Sequence, residues 1–251
     1  MKPFSLLIKP AGGDCNLNCR YCFYRRHVAG RMSDAVADRV VATYMMLPLP
    51  DHSICFQGGE PTLMPLAFYR RLDLFGCRVS LQTNGTLLTP DWAAFFAENG
   101  WLIGVSLDGA NDLNERVRGG TAEAVRGIRL LEKYGVDYCI LTVVSRDNVD
   151  DPEGTDRYLA ENFATPRRQY IRCAQEVSLP QYREFCRRVG YERTERCCGE
   201  YFVVEHDGSV YPCDFFVSPE WKLGNVMTDN WQKFISSEKY RDFQNRDCEM
   251  I

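Results

Sequence analysis

Short runs of apolar residues alternate along the chain with longer stretches whose apolar positions recur at helical spacing. Residues 4–8, 53–57, 78–82, 102–107, 138–144 and 169–172 read as strands, brief, rich in aliphatic side chains and bounded by turn residues. Between the first two, residues 35–46 place Ala35, Val36, Val40, Val41 and Tyr44 at helical spacing behind Ser33, a helix-capping residue. Helices are also expected over residues 66–75, 90–99, 121–134 and 156–162, with Gly100 and Gly135 stopping two of them. Such β-α alternation implies a parallel sheet with helices outside it, and sites in such folds sit at the C-terminal ends of strands. After about residue 175 the pattern changes. Ser178-Leu-Pro180 opens an arginine-rich helix, and two alternating strands around His206-Asp207-Gly208 form a hairpin.

Composition narrows the class. The 251 residues are 45% hydrophobic and 25% charged, which suits a soluble globular chain able to bury a substantial core. A net charge of −4 lacks the basic footprint of a nucleic-acid binder. Arg183, Arg187, Arg188, Arg193 and Arg196 read either as a solvated helix face or as a basic lip for an acidic peptide or a carboxylate. No apolar run approaches the roughly 18 residues that span a membrane, and the N-terminal apolar stretch is too short for a signal peptide. Twelve cysteines without an export signal point to a reducing cytoplasm and to metal chemistry, not to a disulfide scaffold. Nucleic-acid and membrane partners are therefore not expected.

Cys15, Cys19 and Cys22 carry the strongest chemical signal. Their C-x3-C-x2-C spacing, in Cys15-Asn-Leu-Asn-Cys19-Arg-Tyr-Cys22-Phe-Tyr24, puts three thiolates on one short loop. A four-iron cubane takes four ligands, so three leave one iron open to a substrate or cofactor. A tetrahedral zinc site would favour paired C-x2-C units or a His-x3-5-His pair, and the chain has no such pair. The spacing favours a site-differentiated iron–sulfur cluster over zinc or packed thiols.

This loop resembles the signature of the radical SAM superfamily, and the resemblance extends well beyond it. It implies a partial, six-stranded (β/α) barrel, a [4Fe-4S] cluster and S-adenosyl-L-methionine chelated at the open iron. One electron from the cluster would cleave that cofactor to a 5′-deoxyadenosyl radical, the hard chemistry being the cofactors' own. Gly58-Gly59-Glu60-Pro61 resembles the family's shelf for the methionyl amine. Thr83-Asn84-Gly85 and Ser106-Leu-Asp108-Gly109 end the next two strands and resemble the rest of that shelf. Within it the resemblance places Tyr21, Asn84, Ser106 and Asp108 as cofactor contacts. Arg116 is the expected partner of the cofactor carboxylate, with Arg118 as the alternative; an arginine fork suits a carboxylate. Tyr24 and Gln57 are candidate substrate contacts.

The hairpin adds a second metal signal. Cys198, Gly208 and Cys213 are spaced like the opening of a SPASM domain, the cysteine-rich extension that binds auxiliary clusters. The phrases Tyr201-Phe-Val-Val-Glu205, Tyr211-Pro-Cys-Asp-Phe-Phe-Val217 and Phe56-Gln-Gly-Gly-Glu-Pro-Thr-Leu63 resemble anaerobic sulfatase-maturating enzymes. So do residues 80–88 and 221–225, and the likeness spans residues 4–145 and 197–248. It implies oxidation of a Cys or Ser side chain of a sulfatase to formylglycine, with Asp214 as catalytic base and a flavodoxin- or ferredoxin-type reductant. Residues 1–175 would form the barrel and residues 176–251 a shortened SPASM-like region. The family pattern continues past Cys248 with further cysteines, so a donor set for at most one auxiliary cluster is expected, built on Cys198 and Cys213 with Cys197 or Cys186. Cys55, Cys77, Cys139 and Cys173 read as core thiols.

Two other readings stand beside this one. A peptide maturase forming thioether or carbon–carbon crosslinks would share the hairpin. A truncated homologue would bind a cluster without turnover.

Overall fold

The computed structural model describes residues 3–24, 27–192 and 199–245. Cys197, Cys198, Cys248, Arg193 and Arg196 lie outside the described residues. The chain divides into two compact units, residues 1–16, 23–81 and 197–247 in the first and residues 17–22, 82–196 and 248–251 in the second.

In the first unit, β1 (Ser5–Ile8), β2 (His52–Phe56) and β3 (Cys77–Thr83, which runs on into the second unit) pair in parallel. Parallel neighbours need a crossover, and α1 (Asp34–Met45) and α2 (Leu66–Arg70) supply them. Ser33 caps α1 by accepting from the Val36 amide, as its sequence suggests. The second helix is shorter than its apolar pattern implies, because Leu72–Gly76 turns back into β3 with Gly76 in the left-handed region at φ +75°.

The hairpin joins this same unit. β7 (Tyr201–Val204) lies parallel to β1, Ser5 facing Tyr201 and Ile8 facing Val204, and then pairs antiparallel with β8 (Ser209–Tyr211). A two-residue strand, β9 (Gly224–Asn225), follows on β8. The strand order is thus β3-β2-β1-β7-β8-β9. α8 (Trp231–Ser236) and α9 (Glu238–Gln244), not foreseen from the pattern, close an aromatic core. There the Phe4 ring meets Phe202 edge-on at 4.9 Å, and Trp231 lies 5.8 Å from Phe4.

In the second unit the order is β6-β5-β4, built from β4 (Leu102–Ser106), β5 (Tyr138–Val144) and β6 (Arg168–Arg172). Its helices are α3 (Pro90–Asn99), α4 (Asn111–Val117), α5 (Thr121–Lys133), α6 (Pro152–Asn162) and α7 (Leu179–Arg188). Ser178 and Gln181 form a reciprocal capping box at the start of α7. Two arginines of that helix pair with carboxylates at the surface, Arg187 with Glu184 and Arg188 with Glu153. For these two residues that is the arrangement of a solvated helix face.

Strand alternation sets the two sheet faces apart in the first unit. Leu6, Ile8, Ile54, Phe56 and Leu81 are buried, whereas Leu7, Cys55, Gln57 and Ser80 on the opposite face are only partly so. The polar face is where the site residues stand.

Candidate active site

The first unit holds the glycine shelf. Gln57 follows β2 and its amide donates to Ile8 O at 2.9 Å. Gly59 N donates to Gly12 O and Glu60 N to Asp14 O, at 2.9 and 2.7 Å, tying the shelf to the chain just before Cys15. A Cβ on Gly59 would come 1.9 Å from Asp14 O, so only glycine fits that approach. The Glu60 carboxylate is fully buried and accepts from the Thr62 amide at 2.9 Å and the Thr62 hydroxyl at 2.6 Å, capping a short 3-10 turn over Pro61–Leu63.

Asp214, just past β8, is buried in the same unit with both carboxylate oxygens engaged. Tyr201 donates its hydroxyl to Oδ1 at 2.9 Å, Gln57 donates Nε2 to Oδ2 at 3.2 Å, and Lys9 Nζ stands 3.7 Å from Oδ2. The Tyr201 hydroxyl is also 3.2 Å from Cys213 Sγ. Burial and the neighbouring Asp214 carboxylate push the Tyr201 phenol up, so it stays a donor. Tyr24 is buried, its ring stacked on His27 at 4.2 Å and its hydroxyl donated to Glu205. Burial pushes Glu205 up, and the Tyr24 hydrogen bond and Lys9 oppose that. Next to these, the half-exposed rings of Phe23 and Phe215 stack at 4.4 Å.

The second unit brings together Cys19, Tyr21, Asp108 and Arg118. Tyr21 donates to Asp108 and accepts from Arg118 Nη1 at 2.6 Å, while Arg118 Nη1 lies 3.9 Å from Asp108 Oδ2. Asp108 is fully buried, and its other oxygen accepts from Val143 N at 2.9 Å. Burial pushes Asp108 up and Arg118 draws it down. Burial likewise raises the Cys19 thiol, with Arg118 working against it. Ser106 accepts from Gln82 Nε2 at 3.0 Å, and Gly104 is the gap that side chain fills, since a Cβ there would lie 1.9 Å from Gln82 Oε1. Asn84 Oδ1 accepts from the Thr86 amide and hydroxyl, bracing the turn after β3. Arg116 stands apart from this group. Its side chain is exposed and reaches Asp147 at 3.8 Å. Arg20, between two cluster cysteines, pairs with Asp147 and with Glu176 at 3.2 Å, pinning the loop to the segments that follow β5 and β6.

Cys15, Cys19 and Cys22 lie outside helices and strands, and none is in a disulfide; Cys15 and Cys22 are exposed and Cys19 is buried. Among the described residues no three His, Cys, Asp or Glu side chains are gathered round a single-ion position. Three thiols on an irregular loop are a donor set for a cubane, whose ligands attach to separate irons. Cys213 is buried beside Asp214. Cys186 packs in an apolar core with Val144, Tyr170 and Phe185.

Residues 10–159 match the radical SAM superfamily and residues 196–250 match SPASM, an iron–sulfur cluster-binding domain. The cysteine-type anaerobic sulfatase-maturating enzyme of Clostridium perfringens is 31% identical over 97% of this chain and 83% of its own. The chain belongs to this radical SAM family. The serine-type anaerobic sulfatase-maturating enzyme of Bacteroides thetaiotaomicron is 28% identical over 96% of this chain and 77% of its own. A solved structure, native anSMEcpe with bound AdoMet and Cp18Cys peptide, superposes with TM-score 0.85 at 30% identity, covering 98% of this chain and 84% of that one. The α/β fold with a mostly parallel, unclosed sheet is thus that of radical SAM enzymes. Among the described residues no helix is long and apolar enough to cross a membrane.

Lys9, Gln82, Tyr201 and Glu205 were missed as site residues by sequence reasoning. Lys9 left a trace, a lone cation on the face of β1 that Ser5 and Leu7 occupy. The other three had none, since their partners are distant in the chain.

Proposed function

We propose that this chain oxidises a cysteine or serine side chain of a protein or peptide to formylglycine, as an anaerobic sulfatase-maturating enzyme. The buried Asp214, oriented by Tyr201, Gln57 and Lys9, is the observation that carries the reading. Cys15, Cys19 and Cys22 would hold the cluster, and the cluster with S-adenosylmethionine would supply the radical that removes a hydrogen atom from the substrate Cβ. Asp214 takes the thiol or hydroxyl proton of the substrate, and the second electron would pass to an auxiliary iron–sulfur cluster. A serine target gives the aldehyde directly, whereas a cysteine target gives a thioaldehyde that water hydrolyses to formylglycine with loss of sulfide. The Gly58-Gly59 shelf and Glu60 serve the cofactor's amine. Ser106 and Arg118 serve its carboxylate, with Tyr21, Asn84 and Asp108 bracing that part of the shelf. Gln57 and Tyr24 line the substrate end. The electron donor is a small flavodoxin- or ferredoxin-type protein, and the setting is the cytoplasm of an oxygen-poor cell. Cys213 would serve an auxiliary cluster together with Cys197 or Cys198.

The test is an anaerobic assay with reconstituted protein, dithionite and two sulfatase-derived peptides that differ only in Cys or Ser at the target. Formylglycine, trapped with a hydrazide and read by mass spectrometry, is expected from at least one peptide. Release of 5′-deoxyadenosine with both peptides intact would reject this substrate assignment.

Arg118 and Arg116 separate cleanly in binding. Arg118→Ala is expected to raise KM for S-adenosylmethionine about tenfold or more, the loss of a charge-assisted contact. Arg116→Ala should leave it within about twofold, since exposed ion pairs contribute little. The reverse order, read from initial rates against cofactor concentration, would return the role to Arg116.

A further inference from the structure

Among the described residues of the first unit, Lys9 is the one buried lysine or arginine, while Glu60, Glu205 and Asp214 are all buried. An ammonium removed from water needs a partner in good geometry, and its removal leaves a carboxylate uncompensated. Lys9 has two such contacts. Its Nζ is 3.7 Å from Asp214 Oδ2 and 4.5 Å from the centroid of the Tyr24 ring. Its stem runs beside the cofactor shelf, where a Cβ on Gly58 would meet Lys9 Cδ at 3.2 Å. The backbone fixes it as well, Lys9 N donating to Val204 O at 2.9 Å at the point where β1 and β7 end together. Tyr24 in turn is held by His27 and Glu205, so the aromatic side of the ammonium is rigid.

We propose that Lys9 is a positioning residue for substrate oxidation. Its ammonium, steadied on the Tyr24 ring, holds the Asp214 carboxylate in line with the shelf, and without it cofactor consumption uncouples from product formation. This rests on the reading of Asp214 as the base. Neither Gln57 nor Tyr201 can substitute for Lys9, since each is a neutral donor already committed to one oxygen.

The experiment is a double-mutant cycle of Lys9→Met and Asp214→Asn, with Lys9→Gln in reserve should the methionine variant fail to fold. Two quantities are read: moles of 5′-deoxyadenosine per mole of formylglycine, and kcat against KM for the peptide. Lys9→Met is expected to raise the ratio about tenfold or more with the loss in kcat, and to add no further loss in the Asp214→Asn background. Lys9→Arg, which keeps the cation, is expected to recover part of the coupling. A wild-type ratio in Lys9→Met, or losses that simply multiply in the double variant, would overturn the proposal. A second cycle on the same four proteins reads the denaturant midpoint with no substrate present. Absence of coupling there overturns the Lys9 assignment alone, whereas wild-type protein that forms no product overturns the substrate reading and leaves that second cycle to decide Lys9.

Discussion

Replacing Cys15, Cys19 and Cys22 together with alanine is expected to abolish cleavage of S-adenosylmethionine and to remove about four irons per chain after anaerobic reconstitution. The expectation follows from the donor set. These thiols share one irregular loop, and the neighbouring Tyr21–Asp108–Arg118 group and the Arg20–Asp147 pair hold that loop without using any thiol. The substitutions should therefore remove the cluster and leave the fold. Iron and sulfide analysis beside 5′-deoxyadenosine chromatography checks both halves. Cleavage retained in the triple variant would place the radical chemistry elsewhere in the chain. Iron retained without cleavage would mean that an auxiliary site at Cys213 is loaded independently.

Asp214→Asn is expected to lower formylglycine formation by about a hundredfold or more, the usual range for loss of a positioned general base. The substitution is close to isosteric, and the amide oxygen can still accept from Tyr201, whose hydroxyl lies 2.9 Å from Oδ1. What it removes is the negative charge facing Lys9 and the capacity to take a proton. Cofactor consumption should continue and become uncoupled from product, so the ratio of 5′-deoxyadenosine to formylglycine reports the defect. An Asp214→Asn protein that forms product at the wild-type rate would remove Asp214 from the proposed mechanism.

Much of the fold was legible because its signals are local. The six strands before the hairpin and the crossover helices were read from short apolar runs, helical spacing and capping, and Ser33, Gly100 and Gly135 stand where helices start and stop. The helix over 66–75 was overextended because its apolar spacing continues through Leu72 and Leu74, while the helix stops at Arg70 and the Leu72 and Cys77 amides donate to Tyr69 O and Leu74 O in turns that lead into β3. The helices α4, α8 and α9 escaped notice because they are short, and short helices depend on tertiary packing more than on propensity. The arginine proposed for the shelf shows the same limit. Arg116 and Arg118 are two residues apart and chemically identical, so no local pattern ranks them. Only burial beside Tyr21 and Asp108 separates Arg118 from its exposed neighbour.

By itself the sequence determined the chemistry that depends on spacing along one strand of chain. Three thiols within eight residues, two glycines ahead of Glu60 and a hairpin turn at His206-Asp207-Gly208 are set by covalent connectivity. The tertiary structure decided what depends on residues far apart in the chain. Parallel pairing of β7 with β1 brings Val204 beside Ile8, and with it Glu205 to Tyr24 and Asp214 to Lys9. Roughly two hundred residues separate Lys9 from Asp214, and no periodicity or propensity carries information across such a loop. The ion pair forms because the two strand ends meet in one sheet, where a buried ammonium and a buried carboxylate each lack water and have the other.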